Sequence, residues 1–154
     1  MRIALVASVG FLPFPCGGSG SSVGDSGVAT PDPEAVPAPS AWSQCEPSGQ
    51  AEAVGAVQDG DELIVDVRHA GGCGFDHRLS ICRESLGFLE SNPVQTRAYI
   101  WHDPAGDTCE ALVSESAVFD LVPLFEAFDQ AYGAPGQVIV NVDGLQVTVD
   151  VPAP

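Results

Sequence analysis

Residues 138–151 constrain the fold more than any other stretch of this chain. Val138, Val140 and Val142 alternate with Ile139, Asn141 and Asp143. Asp143-Gly144 follows, and Leu145, Val147, Val149 and Val151 then recur at every second position. Successive strand side chains point to opposite faces, so a spacing of two gathers each row on one side of a sheet. Asp-Gly supplies the positive φ angles of a two-residue hairpin turn. The stretch therefore predicts an antiparallel hairpin with one apolar face, which needs a second layer to cover it.

The same pattern recurs upstream. In residues 62–68, Leu63, Val65 and Val67 share one face, and Glu62, Asp66 and Arg68 lie on the other with Ile64. Asp59-Gly60 just before it is a turn signal and makes residues 53–58 the partner strand. Residues 76–83 place His77, Leu79 and Ile81 on one side. Residues 95–102 are rich in strand formers, and residues 110–119 form a further, less regular run. One helix is expected from Pro123 to Gly133. Proline suits a first turn, Leu124, Phe125, Phe128 and Tyr132 follow at helical spacing, Gly133 is placed to close it and Asp120 to cap it. The chain reads as mainly β: a two-sheet antiparallel β-sandwich with one short crossover helix, a small barrel being the alternative. No internal repeat is visible.

The first 41 residues differ in kind. Arg2 precedes an apolar run from Ile3 to Leu12, and Cys16 ends the segment. A basic start and a short apolar core describe an export signal. The cysteine gives it the form of a lipoprotein signal, in which Cys16 would be lipidated and would begin the mature chain. Phe14 and Pro15 stand where that signal ordinarily has small residues, and a plain signal peptide cut elsewhere is the other reading. In residues 17–41, 14 of 25 positions are Gly, Ser or Pro, and every charge is acidic. Such a segment buries too little apolar surface to offset its conformational entropy and reads as a disordered spacer. The domain reading is thus 1–16 signal, 17–41 linker, and 42–154 the folded, disulfide-stabilised domain.

Charge excludes whole classes of function. The chain carries 21 acidic residues and five arginines and has no lysine, for a formal charge of −16. Phosphate backbones and anionic lipid surfaces call for a basic face, so no nucleic-acid partner is expected and membrane contact is through the lipid anchor only.

Five cysteines are present. Setting Cys16 aside leaves Cys45, Cys73, Cys82 and Cys109, an even number that suggests two disulfides in an oxidising compartment. Three pairings are open, and Cys73–Cys109 with Cys45–Cys82 is preferred. Cys73 and Cys109 both sit in turn-rich loops, and Cys45 precedes the first strand. The alternative function is a zinc module in which Cys73, His77, His102 and Cys109 form a Cys2His2 cluster. The His102–Cys109 spacing is loose for such a site, and thiolates outside the cytosol must escape oxidation. His77 shares parity with Leu79 and Ile81 and fits a structural core position. No cofactor is expected.

Other chemistries find less support. Cys73 and His77, with Asp76 or Asp103, could form a thiol–imidazole pair, but the acidic surroundings raise a thiol pKa. Ser80, Ser85 and Ser91 lack a nucleophile-elbow context. Asp103, Asp107 and Glu110 bring carboxylates to one loop without the oxygen spacing of an EF-hand, and a simple turn explains them. The expectation is a protein without catalytic residues.

Several segments together resemble a set of uncharacterised bacterial envelope lipoproteins, including myxobacterial ones. They are Gly71-Gly72-Cys73 with His77, then Cys82, residues 90–95, His102-Asp103, Gly106-Asp107-x-Cys109, and Phe119-Asp120-Leu121 before Pro123-Leu124. The likeness spans residues 63–132. It implies export, lipidation and β architecture, and it brings no activity. The expected protein is a non-catalytic exported lipoprotein of the outer membrane, cell surface or periplasm, whose domain binds a protein or glycan or serves as a scaffold.

Overall fold

The computed structural model describes residues 37–47, 50–73, 77–85 and 87–153. The signal segment, Cys16, most of the spacer and Asp76 lie outside the described residues. Seven strands and one helix follow in the order β1 (Ala51–Asp59), β2 (Glu62–Ala70), β3 (Arg78–Arg83), β4 (Val94–Asp103), β5 (Leu112–Asp120), α1 (Val122–Tyr132), β6 (Gly136–Val142) and β7 (Leu145–Val151). They form a three-stranded sheet, β1-β2-β5, and a four-stranded sheet, β3-β4-β6-β7.

Among the described residues the chain is mainly β, with two sheets and one helix. One expectation needs correcting: the sheets are not antiparallel throughout. β4 and β6 pair in parallel, Val94 with Val138 through Ala98 with Val142. Parallel neighbours cannot be joined by a tight turn. Here the chain leaves the four-stranded sheet after β4, runs β5 in the other sheet, and returns through α1 to lay β6 beside β4.

Local chemistry accounts for each element. Asp143 and Gly144 have φ of 50° and 93°, the two positive values of the hairpin turn that Asp-Gly favours. The inward rows of β2 (Leu63, Val65, Val67), β4 (Ala98, Ile100) and β6 (Val138, Val140, Val142) meet between the sheets and form the core with Leu124, Phe125 and Phe128 of α1. Pro123 lies in the first turn of α1, and Gly133 closes the helix at φ 76°. Leu121 occupies the cap position. The Asp120 carboxylate accepts a hydrogen bond from the Val122 N–H at 2.9 Å and so does part of the capping work. Trp42 is buried, donates from its indole to the Asp120 carbonyl at 2.6 Å, and brings the segment before β1 into the core.

Two cysteine pairs stand at disulfide distance. Cys45 joins the entering segment to Cys82 on β3, and Cys73 joins Cys109, both with Cα atoms 5.8 Å apart. The two bridged intervals overlap in sequence. Among the described residues, no helix is long and apolar enough to cross a membrane.

Candidate functional site

The inward rows of three strands end in histidine at the same end of the sandwich. On β2 the buried row Leu63, Val65, Val67 continues to His69. On β4 the row Thr96, Ala98, Ile100 continues to His102. His77 enters β3 on the parity of Leu79 and Ile81, and β3 begins where β4 ends, with Arg78 opposite Asp103. Strand alternation alone thus carries three imidazoles from two sheets into one space. Their ring centroids are 4.5 Å (His69–His102), 4.8 Å (His69–His77) and 5.0 Å (His77–His102) apart. One nitrogen from each ring lies within 4.8 Å of the others.

Each ring is held in place. His77 Nδ1 is 2.8 Å from His102 Nε2, and His77 Nε2 is 3.0 Å from Asp107 Oδ2. His69 Nε2 is 2.8 Å from Glu115 Oε1, and its Nδ1 is 3.1 Å from the Ala70 carbonyl. Burial lowers the His102 pKa, and the neighbouring His69 and His77 lower it further against the pull of Asp103 and Glu115. The neutral imidazole is therefore favoured at His102, the form that keeps a lone pair available.

Asp107 organises the cover of this space. Its side chain is 1% exposed. Oδ1 accepts from the Cys109 N–H at 2.8 Å, and Oδ2 accepts from the Gly72 and Cys73 N–H groups at 2.9 and 3.1 Å as well as facing His77. These bonds, that from Cys109 first, hold its pKa down to about 2. The Cys73–Cys109 bridge ties the same two loops together. Gly71, at φ 133°, is required here, because a Cβ at that position would fall on the His77 ring.

The alternative Cys2His2 zinc set does not form in this geometry, which has the preferred disulfide pairing instead. Cys73 and Cys109 are bonded to each other, so neither sulfur is a thiolate, and a thiol–imidazole pair at Cys73 has no thiol. His77 and His102 are adjacent, and their third companion is His69 rather than a cysteine. Asp103 does not orient an imidazole: it forms an ion pair with Arg78 and accepts from the Ala105 N–H at 2.8 Å. Asp107 takes the orienting role. The loop carboxylates Asp103 and Asp107 are thus engaged with other partners and make no oxygen cage. Sequence reasoning missed His69, Asp107 and Glu115 as members of this site. His69 carried a usable signal, because it extends the parity of Leu63, Val65 and Val67 by one step. Nothing in the spacing announced Glu115, which reaches His69 across the β2–β5 pairing.

No protein-family profile matches this chain, and no curated protein does. Solved structures with some likeness include a NigD-like immunity protein from Bacteroides caccae ATCC 43185 (13% identity, 71% of this chain and 59% of that one, TM-score 0.46). A putative toxin-related protein from Parabacteroides distasonis ATCC 8503 is similar at 12% identity, with 74% of this chain and 61% of that one covered and a TM-score of 0.46. A protein of unknown function from Bacteroides vulgatus ATCC 8482 is similar at 16% identity, over 68% of this chain and 48% of its own length, with a TM-score of 0.39. The chain spans between about half and three fifths of the length of these proteins.

Proposed function

We propose that this chain is a non-catalytic, exported binding domain, lipidated at Cys16 and presented at the cell envelope on the acidic spacer 17–41. The observation that carries the reading is the pair of disulfides, Cys45–Cys82 and Cys73–Cys109. Such bonds persist in oxidising compartments and are rare in the cytosol. A basic start with a short apolar run, a cysteine and a Gly/Ser/Pro spacer supports export and anchoring, as does the resemblance to envelope lipoproteins. The strong negative charge disfavours nucleic acid and suits a protein or glycan partner with a cationic face. The pairing of Cys73 with Cys109 supports the absence of catalysis, since it consumes the most plausible nucleophile.

The test is metabolic labelling with an alkyne fatty acid in the native host, for the wild type and Cys16→Ala, together with intact mass before and after reduction. Lipid label on the wild type only, with a gain of two hydrogens per disulfide on reduction, supports the reading. An unlabelled chain with free thiols overturns it.

A further inference from the structure

We propose that His69, His77 and His102 form a binding site for one zinc ion, with Glu115 as the fourth ligand and with Asp107 and the Ala70 carbonyl orienting the His77 and His69 rings. The site does not depend on export or anchoring, because the rings converge whatever the compartment.

A neutral imidazole has one N–H and one lone pair. If His77 donates from Nε2 to Asp107, its Nδ1 offers a lone pair toward His102 Nε2. If His69 donates from Nδ1 to the Ala70 carbonyl, its Nε2 offers a lone pair toward Glu115, 2.8 Å away. In the other tautomer His69 donates from Nε2 to Glu115 directly. Between His77 Nδ1 and His102 Nε2 one proton must lie if no metal does. Metal binding would displace the proton that bridges His77 and His102.

The donor set fits zinc. Imidazole nitrogens bind zinc at about 2.0–2.1 Å, which sets donors about 3.3 Å apart around a tetrahedral ion. His77 and His102 need to separate by only about half an ångström from their hydrogen-bonded 2.8 Å to reach that spacing. Glu115 is 46% exposed at its side chain and already touches His69, so rotation brings an oxygen in as fourth ligand. Asp107 on His77 and the Ala70 carbonyl on His69 are the outer partners that metal-bound histidines ordinarily keep, fixing tautomer and ring orientation. The disulfide-tied cover supplies rigidity. Three neutral nitrogens and one carboxylate favour zinc or copper over calcium or magnesium, which prefer oxygen cages.

The test uses the oxidised chain, stripped of metal and titrated with zinc chloride against a chelator of known affinity. The ring nitrogens of the wild type are followed by NMR in the same samples. One zinc per chain is expected, with the resonances of all three histidines moving together at one equivalent. His69→Gln, His77→Gln and His102→Gln should each weaken binding at least about 100-fold, and Asp107→Asn or Glu115→Gln by about 10–100-fold. The wild-type ring shifts keep the test decisive should a histidine variant fail to fold. Unmoved rings at one equivalent, or binding that survives all three histidine substitutions, would each overturn the proposal. Loss of lipid label at Cys16 would leave these results unchanged, so the two readings fail separately.

Discussion

At the scale of single residues, two positions show how little freedom this fold leaves. Gly71 carries both a left-handed φ of 133° and a Cβ position already taken by the His77 ring. Gly71→Ala should cost more than about 1 kcal/mol of stability and displace His77, which denaturant titration and the His77 ring resonances would show. Asp143 is the second. Its Oδ2 accepts from the Ala53 and Ile100 N–H groups, both at 3.3 Å, and so bridges the two sheets from the β6–β7 turn. Burial raises its pKa above the ordinary 3.8, outweighing those two hydrogen bonds. The folded state therefore holds this proton more tightly than the unfolded chain does. Its favourable contribution is complete below the ordinary pKa and is lost as pH rises through the raised one. Relative to Asp143→Asn, which tolerates the same φ of 50°, the wild type should compare less well at pH 7 than at pH 3. Urea midpoints of both proteins at the two pH values check this, and the opposite ordering would sink it.

Elements were legible wherever a local rule sufficed. The β6–β7 hairpin, the β1–β2 hairpin and the helix from Pro123 follow from alternation, turn residues and a proline-to-glycine frame. Each of those rules acts over a few residues. The parallel pairing of β4 with β6 was not legible, because no short-range pattern records which strand a returning chain will lie beside. The site shows the same division. His77 and His102 drew notice through their spacing to cysteines, and the parity of His77 was read as core. His69 stands just past residues 62–68, where the polar Arg68 marked an apparent end that the strand in fact passes. The Cys45–Cys82 bond is the element-scale contribution that can be tested by removal. It closes an interval of 37 residues, for which the chain-entropy relation gives about 4 kcal/mol. Against a total of about 5–15 kcal/mol, the double variant Cys45→Ala/Cys82→Ala should be marginally folded at best. A denaturation midpoint indistinguishable from wild type would show that the bond constrains little.

For the whole molecule, the dominant physical fact is charge. With −16 formal charges and no lysine, the compact state repels itself more than the expanded chain does. Salt shortens the range of that repulsion, from about 30 Å at 0.01 M to about 3 Å at 1 M. The urea midpoint should therefore rise between low and high sodium chloride, and a fall would mean that local ion pairs such as Arg78–Asp103 outweigh the global field.

The Cys45–Cys82 bridge bears on how the domain carries mechanical load. The covalent route from the entering segment crosses from Cys45 to Cys82 and runs backwards along β3 to His77. The covalent path through β1 and β2 is bypassed, while the hairpin itself stays held by its pairing with β5 and by the core. A load entering ahead of Cys45 can thus reach His77 through one sulfur bridge and one short strand, without drawing on the covalent path through the β1–β2 hairpin.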